Sequence, residues 1–291
     1  SLQSTPSPSC EGFVFGVDAG GTNCRVQCFD CSSLEPVGQP IKFAWDFSRI
    51  FGEYRGLSLD SALTEAEVEA GSRQIDALAK AVATIWAQVN QGGGRAPAIC
   101  LAWPGQKCPA AHSIVRCSNA PRISDFVPRL QREVERFGGV SPHILPLQSD
   151  GFMAGLAEFR HPQGALLGLE QGYYLMPGTG LAEAFVVDGQ IRSRHELGLA
   201  GPFELEYQPG QLYEQLLKAS AWRDAPRLGP VLQSWLQLRS DQCPRPWQAV
   251  ALGGRATSGN AWESQLPFSL RWSQLVDPAL WGCAHFATRG L

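Results

Sequence analysis

Apolar residues recur along the 291-residue chain with two different spacings. Short apolar runs and every-other-residue alternations are typical of strands, and they occur around Phe13–Val17, Cys24–Cys28 and Ala98–Ala102. Further strands are predicted at Ile41–Phe51, His143–Asp150 and Ala249–Leu252, and a second hairpin at Gly172–Ile191. Apolar residues at helical spacing predict helices that begin near Thr64, Phe126, Phe152, Gln211, Val231 and Pro278. Strands that alternate with helices predict an α/β fold, and two lobes with a cleft between them are the simplest architecture.

The longest predicted helix has the clearest start signal. Thr64 and Glu67 have the spacing of a capping box, in which each side chain accepts a hydrogen bond from the other residue's backbone N–H. The apolar positions that follow at helical spacing, and that we expect to be buried, are Val68, Leu78, Val82, Ile85 and Val89. The glycines at 92–94 are expected to end the helix.

Composition and charge exclude several classes of protein. Apolar residues make up 44% of the chain, charged residues make up 18% and the net charge is −3, so neither a nucleic-acid partner nor a membrane partner is expected. No apolar run reaches the ~18 residues that a membrane span requires. The Ser/Pro-rich residues 1–11 are predicted to form a disordered leader without the pattern of a signal peptide. Nine cysteines, several of them in apolar segments, favour reduced thiols in a cytoplasmic protein. The C-x-x-C pair Cys28 and Cys31 is expected to be structural, because no second pair stands at zinc spacing.

The first hairpin, "FGVDAGGTNCRVQCFD", has an unusual tip. Gly20 and Gly21 predict a tight turn between two strands, and a plain hairpin is one interpretation. The tip also has Asp18, Thr22 and Asn23 beside the glycines. Glycines let backbone amides approach a phosphate, threonine adds a hydroxyl donor, and a nearby carboxylate can hold hydrated Mg²⁺. A phosphate-binding turn is therefore the second interpretation.

A second glycine turn repeats this chemistry later in the chain. Gly178, Thr179 and Gly180 form the predicted tip of the second hairpin, and two such turns across a cleft can hold the two ends of a triphosphate. A third turn, Gly253–Gly254, follows an apolar strand and suits close approach of a nucleotide base or ribose. The sequence has no P-loop, and a dinucleotide fingerprint is excluded because a strand, not a helix, follows the first glycines.

Two polar residues are candidates for substrate chemistry. Asp150 ends a predicted strand and precedes a helix, where its carboxylate can accept the proton of an attacking sugar hydroxyl. The alternative is that Asp150 caps the helix, since aspartate is a favoured N-cap residue. Asn119, in "CSNAPRI", suits recognition of hydroxyl groups, although an asparagine in that context is also a common turn residue.

The order of these motifs resembles that of the glucokinases and ROK-type sugar kinases, which belong to the actin/hexokinase/Hsp70 superfamily of phosphotransferases. The motifs that carry the resemblance are "GVDAGGTNCRVQCFD", the Pro-Gly pair of "AWPG", "SNAP", "SDG" before a small-residue helix, G-T-G, "VVDGQI", "ALGG" and "GCAHF", and together they extend from Gly12 to Arg289. The resemblance implies a two-lobed actin-like ATPase (ribonuclease H-like) fold with a nucleotide and sugar cleft between the lobes. It places residues 12–150 and 275–291 in the N-terminal lobe and residues 151–274 in the C-terminal lobe.

The resemblance also implies roles for individual residues. Asp150 is expected to be the general base, and Asp18 is expected to position Mg²⁺ through water. The residues expected to contact ATP are Gly20, Gly21, Thr22, Asn23, Gly178, Thr179 and Gly180 at the phosphates, and Gly253 and Gly254 near adenosine. The residues expected near the sugar are Asn119, Ser149, Glu204 and Glu206. ATP, Mg²⁺ and a small-molecule sugar are thus the expected ligands, and a homodimer is kept as a hypothesis.

The sequence departs from this family at several positions. Ser149 stands where asparagine usually precedes the catalytic aspartate, and Ala182 stands where a further glycine usually follows G-T-G. Pro202 occupies the position of a sugar-binding glutamate, for which Glu204 or Glu206 are candidate substitutes. The cysteine cluster of zinc-binding ROK proteins is missing, so no structural zinc is expected. The leading hypothesis is an ATP-dependent kinase of a hexose or amino sugar. The alternative is a catalytically degenerate sensor or scaffold of the same fold that binds a sugar or nucleotide.

Overall fold

The computed structural model describes residues 12–45, 61–117 and 120–291 of the chain. Two predictions, the leader at 1–11 and the role of Asn119, lie outside these described residues. The described part divides into two compact units, one within Ser1–Met153 and Ala279–Leu291, and the other in Ala154–Pro278. Searched over this described part, no helix is long and apolar enough to cross a membrane.

The first unit is built on a five-stranded sheet. In chain order its strands are β1 (Phe13–Ala19), β2 (Asn23–Asp30), β3 (Pro36–Ala44), β4 (Ala98–Ala102) and β7 (His143–Ile144), and between the last two lies the small hairpin of β5 (Gln106–Lys107) and β6 (Ile114–Arg116). The order across the large sheet is β3-β2-β1-β4-β7. Strands β1, β2 and β3 are antiparallel, whereas β4 and β7 continue the sheet in parallel with β1. Strands β1 and β4 are almost continuously buried, as is typical of strands whose sheet is covered on both faces.

Helices α1 (Glu65–Val89) and α2 (Phe126–Gly138) complete this core. Thr64 caps α1 by accepting from the backbone N–H of Glu67 at 3.2 Å. The capping box is wrong in its second half, because the buried Glu67 carboxylate instead binds the Arg122 guanidinium in two hydrogen bonds of 2.9 Å. Val68 was expected in the core and is 46% exposed, since the buried face of α1 runs through Ala70, Ile75 and the later apolar residues.

The last helix of the chain, α6 (Pro278–Arg289), belongs mostly to the first unit. It packs on β1 at Gly16, where an added Cβ would lie 2.5 Å from the Leu280 carbonyl oxygen. Gly282 on α6 lies even closer to the backbone carbonyl of Met153. These small residues allow backbone to approach backbone, which a side chain at either glycine would prevent.

The second unit repeats the sheet order of the first. Its strands are β8 (Gln171–Pro177), β9 (Leu181–Val187), β10 (Gln190–Arg192), β13 (Ala249–Leu252) and β14 (Leu270–Trp272), with a hairpin of β11 (Glu206–Gln208) and β12 (Gln211–Leu212). The sheet order is β10-β9-β8-β13-β14, antiparallel on one side and parallel on the other. The helices are α4 (Tyr213–Leu217) and α5 (Gly229–Asp241), with 3₁₀ helices at Ala219–Arg227 and Ala261–Gln265. In both units, therefore, antiparallel strands form one side of the sheet and parallel strands extend it on the other side.

A buried ion pair organises the core of the second unit. Arg239 on α5 is fully buried and donates to the Glu183 carboxylate on β9 at 2.8 and 2.9 Å. Tyr173 donates to the same carboxylate at 2.5 Å, and burial raises the pKa of its hydroxyl well above the ordinary value. Arg239 also donates to the Ala200 carbonyl at 2.7 Å, which ties the loop after β10 to this core.

One predicted strand is wrong and another is misplaced. The strand expected to end at Asp150 stops at Ile144, and Asp150 is the first residue of α3 (Asp150–Arg160). Pro146 interrupts the segment and leaves only a bridge between Ala102 and Gln148. The strand predicted at Ile41–Phe51 begins earlier, at Pro36, and residues beyond 45 lie outside the described part.

Substituting Gly282 with alanine tests the contact of α6 with Met153. The added methyl group overlaps the Met153 carbonyl, so we expect the free energy of unfolding to fall by about 1–3 kcal/mol. Gly92→Ala is the matched control, because a Cβ at Gly92 meets no atom within 4 Å. Thermal or denaturant unfolding measures both variants. Equal stability of Gly282→Ala and the native chain would show that α6 does not pack this closely.

Candidate functional site

The tip of the first hairpin presents two unused backbone N–H groups. Gly20 donates its N–H to the Asn23 carbonyl at 2.8 Å and closes the turn. Among the described residues, the N–H groups of Gly21 and Thr22 have no hydrogen-bond partner. The turn is held from outside by Trp45, whose backbone N–H donates to the Thr22 carbonyl at 3.1 Å. Two adjacent N–H groups that no described residue binds, on a turn held in place, suit a phosphate oxygen.

Asp18 is the last residue but one of β1 and stands two residues before Gly20. It faces Arg25 across the β1–β2 pair, with 3.5 Å between its carboxylate and the guanidinium. Over residues 12–45, 61–117 and 120–291, no three His, Cys, Asp or Glu side chains are grouped to hold a metal ion. Mg²⁺ in phosphate sites uses one or two carboxylates with phosphate and water, so a single carboxylate beside a phosphate turn fits that ion.

Asp150 stands at the start of α3 without capping it. Ser149 is the capping residue, because its Oγ accepts from the Phe152 N–H at 3.3 Å. Among the described residues, the Asp150 carboxylate accepts only from the adjacent Gly151 N–H, at 2.9 Å, and the residue is half-buried. The alternative role of Asp150 as a helix cap is thus taken by its neighbour, and one carboxylate oxygen stays available for a substrate proton.

Lys107 is a member of this site that sequence reasoning did not identify. Its Nζ donates to the Trp103 carbonyl at 2.5 Å and to the Gly105 carbonyl at 2.8 Å, across the Trp-Pro-Gly turn that ends β4. Burial lowers the pKa of Lys107 to about 8, and the nearby charge of Asp150 acts against this fall. The sequence signal was slight, a lysine two residues after Pro104–Gly105. The structure thereby places an ammonium group in the electrostatic field of Asp150.

The second hairpin tip is also closed by the N–H of its first glycine, but onto a carbonyl two residues on and not three. Gly178 donates to the Gly180 carbonyl at 2.8 Å, and within the described part the N–H groups of Thr179 and Gly180 have no partner. The next N–H, of Leu181, donates to the Glu214 carboxylate at 3.3 Å. Glu214 lies directly against Gly180, and burial raises the pKa of its carboxyl group. A carboxylate thus borders the N–H pair on which a phosphate was expected.

A pocket of about 520 Å³ lies beside this tip in the second unit. Its lining residues are Ala219, Ser220, Trp222, Arg223, Arg255 and Thr257. Ala219 donates its N–H to the Gly178 carbonyl at 2.9 Å, and Arg255 directly follows Gly253–Gly254. The pocket therefore connects the G-T-G tip to the turn predicted for adenosine.

The glycines of that turn have a packing reason. A Cβ on Gly253 would lie 2.6 Å from the Tyr174 hydroxyl, and a Cβ on Gly254 would lie 2.5 Å from the Pro177 carbonyl. Gly254 also has a positive φ of 58°, which disfavours other residues. Close packing on β8 accounts for both glycines, so their presence by itself does not indicate a ligand.

The glutamates predicted near a sugar lie in the second unit, whereas Asp150 lies in the first. The Glu204 carboxylate accepts from the Gly201 N–H at 2.8 Å and closes its own turn. Glu206 is exposed on β11, and Pro202, which precedes both glutamates, is buried. The structure does not bring these glutamates together with Asp150 within one unit, and their roles remain predictions.

Comparison with known proteins identifies the architecture. No protein-family model matches the sequence, and no curated protein matches it. Solved structures match over nearly the whole chain. An inorganic polyphosphate/ATP-glucomannokinase from Arthrobacter sp. strain KM is 17% identical, with 94% of this chain and 97% of that one covered and a TM-score of 0.61. A ROK-family glucokinase from Streptomyces griseus, solved with glucose and AMPPNP, is 18% identical, with coverages of 96% and 100% and a TM-score of 0.62.

A third match is described as a regulator of transcription. It is a ROK-family transcriptional regulator, a homologue of the E. coli MLC protein, with 12% identity, coverages of 97% and 79%, and a TM-score of 0.64. The chain has the two-lobed actin-like ATPase fold of the ROK proteins. The resemblance identified from the motifs is confirmed for the fold, at identities that mark a divergent sequence.

Lys107 leads to a prediction about stability and pH. Its pKa is about 8 when folded, against an ordinary value of 10.5. Between these two values the unfolded chain binds a proton that the folded chain has released, so this residue makes stability rise with pH across that window. We expect Lys107→Met to be more stable than the native chain at neutral pH and to lack this rise. Unfolding measured across the window tests it, with the exposed Lys80→Met as control. Identical pH dependence in Lys107→Met and the native chain would contradict it.

Proposed function

We propose that this protein is an ATP- and Mg²⁺-dependent sugar kinase with a hexose or amino sugar as acceptor. The observation that carries the proposal is the arrangement in the first unit. Asp150 has a carboxylate that does not cap its helix, and Lys107 holds a partly buried ammonium in its field. Asp18 stands next to a turn with two N–H groups that no described residue binds. Phosphoryl transfer requires a general base, positive charge and hydrogen-bond donors to the phosphates.

The proposed steps use this chain's own groups. The N–H groups of Gly21 and Thr22, and separately those of Thr179 and Gly180, bind phosphate oxygens and orient the donor. Asp18 would hold hydrated Mg²⁺, which supplies positive charge to the phosphates when bound. The Asp150 carboxylate accepts the proton of the attacking hydroxyl, and the hydroxyl oxygen bonds to the γ-phosphorus. The bond from that phosphorus to the β–γ bridging oxygen breaks at the same time, and ADP leaves with its electron pair. Lys107 places a positive charge close to Asp150, where it can stabilise the negative charge that develops during the transfer.

Support for the acceptor class comes from fold analogy. The Streptomyces griseus protein is a glucokinase solved with glucose and AMPPNP, and the Arthrobacter protein is a glucomannokinase. The low identity leaves the particular sugar open within the hexoses and amino sugars. For the donor, the pocket beside the G-T-G tip has room for a base, and Trp222 contributes an aromatic side chain to its wall.

Replacing Asp150 with asparagine tests the general base. Asparagine keeps the size of the side chain but accepts no proton, so turnover is expected to fall on the order of 10²-fold or more. The assay is sugar-dependent ADP release from Mg-ATP across a panel of hexoses and amino sugars. Asp241→Asn, at an exposed carboxylate on α5, serves as the control. Near-native turnover of Asp150→Asn with any sugar would remove Asp150 from this role.

A sugar-binding sensor or regulator without phosphoryl transfer is the second candidate. It is favoured by Glu214, whose carboxylate borders the second N–H pair where a phosphate would have to bind. Ala182 and Pro202 depart from the kinase pattern in the same unit. The regulator among the matched structures shows that the ROK fold also occurs in a protein that is not described as a kinase.

The substitution Glu214→Gln distinguishes the two candidates. If phosphate binds at the second tip, removing this negative charge strengthens ATP binding by on the order of fivefold, the effect of one nearby charge in a solvated site. Calorimetry of ATP with the native chain, Glu214→Gln and the surface control Glu196→Gln measures it. Absence of ATP binding in all three proteins, with sugar binding retained, would support the sensor and contradict the kinase.

A further inference from the structure

The cysteines of the described part are all free thiols, but they differ sharply in environment. Six are buried: Cys24, Cys28, Cys31, Cys100, Cys117 and Cys283. Burial raises the pKa of Cys28 to about 12 and that of Cys283 well above its ordinary value. Two described cysteines, Cys108 and Cys243, are partly exposed. They differ from each other, since burial raises the pKa of the Cys243 thiol, whereas the pKa of Cys108 is lowered.

Cys108 lies in the loop that joins β5 to β6, with its sulfur among hydrogen-bond donors. Burial by itself raises the pKa of this thiol, but bonds from the backbone N–H groups of His112, Ser113 and Ala110, and from the Ser113 hydroxyl, outweigh it and lower the pKa. The imidazole Nδ1 of His112 lies 3.4 Å from Sγ. A sulfur with an imidazole nitrogen and N–H groups close by is stabilised as the thiolate, the reactive form of cysteine.

The other nitrogen of the same imidazole faces a carboxylate. His112 Nε2 lies 3.7 Å from Oδ1 of Asp125, an ion-pair distance. An imidazolium ion has a donor on each nitrogen, so thiolate on one side and carboxylate on the other match both donors. Thiol, imidazole and carboxylate are thus in series, in the order that activates cysteine nucleophiles in enzymes.

Asp125 does not cap the helix that it precedes, although capping is a common role of aspartate. It precedes α2 at the N-cap position, where aspartate normally bonds the helix N–H groups, yet its side chain makes no capping bond. Its backbone has a positive φ of 50°, which is strained for a residue other than glycine. Its backbone N–H donates to the Ser113 Oγ at 2.9 Å, which holds Asp125 to the cysteine loop.

The loop is fixed on several sides. Cys108 donates its N–H to the Ser113 carbonyl at 3.1 Å across the base of the loop. Val127 of α2 donates to the His112 carbonyl at 3.1 Å, and Leu147 donates to the Ala111 carbonyl at 2.8 Å. Because neighbouring elements hold the backbone, the thiol and imidazole are positioned before any reagent arrives.

We propose that Cys108 is a base-assisted thiolate and a modification site for small hydroperoxides, with His112 as its acid–base partner and Asp125 as the residue that orients His112. The thiolate attacks one peroxide oxygen, so that an S–O bond forms as the O–O bond breaks. The leaving oxygen takes the electron pair of that bond and a proton from the His112 imidazolium. Sulfur is oxidised by two electrons to the sulfenic acid, and the hydroperoxide is reduced to water or an alcohol. The N–H groups that surround the sulfur also stabilise the product oxygen.

Hydrogen peroxide added to the full chain at neutral pH tests this proposal. Sulfenic acid is trapped with a 1,3-dione probe, and labelling of each cysteine peptide is followed over time by mass spectrometry. We expect Cys108 to react at least about tenfold faster than Cys243, the partly exposed reference in the same molecule. The substitutions His112→Asn and Asp125→Asn are expected to slow Cys108 selectively, His112→Asn the more, while Cys243 keeps its rate.

The outcomes separate an activated thiolate from a merely exposed one. Equal rates at Cys108 and Cys243 in the native chain would overturn the proposal, whatever the variants do. A native rate at Cys108 in a folded His112→Asn protein would remove His112 from the role. If a melting curve shows that His112→Asn is unfolded, the rate of Cys108 in Asp125→Asn decides the question. The relative rates at which Cys108 and Cys243 of the native chain react with iodoacetamide provide the second measurement. Because none of these measurements involves ATP or sugar, the result is independent of the proposed kinase activity.

Discussion

One backbone hydrogen bond in each hairpin tip determines the candidate site. Gly20 and Gly178 each turn their N–H inward to a carbonyl of their own tip, at 2.8 Å in both cases. In each tip the next two N–H groups have no hydrogen-bond partner among the described residues. Unused N–H groups at a surface are binding groups for anions, and the chain has them twice because its two units have the same sheet order. The donors are backbone atoms, so side-chain identity at these tips matters mainly through the size that glycine avoids.

Buried ion pairs hold two irregular loops in place, one in each unit. Glu67 on α1 binds Arg122, which follows the predicted sugar segment, with both side chains almost fully buried. Glu183 on β9 binds Arg239, which in turn holds the Ala200 carbonyl in the loop that leads to Pro202. Breaking such a pair leaves one buried charge without its partner, which costs several kcal/mol. Each ion pair therefore attaches an irregular loop firmly to the core.

Adjacent residues of one short hairpin have opposite chemical settings. Lys107 is partly buried against the Trp-Pro-Gly turn in the field of Asp150, and its pKa falls. Cys108, the next residue, has its sulfur among N–H donors beside His112 at the partly exposed side. Successive side chains in extended backbone point to opposite sides, which separates the two environments over one peptide unit. The β5–β6 hairpin thus joins the proposed phosphotransfer site to a thiol with unrelated chemistry.

The sequence alone determined the features that depend on local pattern. The Gly20–Gly21 and G-T-G hairpins, helices α1, α2 and α6, and the α/β class follow from apolar spacing and turn residues, because these act over a few neighbouring positions. The order of the glycine motifs was sufficient to identify the fold. Only the tertiary structure decided the rest. Glu67 leaves its capping position for Arg122, 55 residues away along the chain, and Ser149 caps α3 so that Asp150 does not. In the first unit Lys107 lies in the field of Asp150 and Asp125 faces His112, and in the second unit Glu214 borders the G-T-G tip. These contacts join segments that no local pattern connects. The energies of buried charges depend on what surrounds them in space, and for these residues the surroundings come from distant parts of the chain.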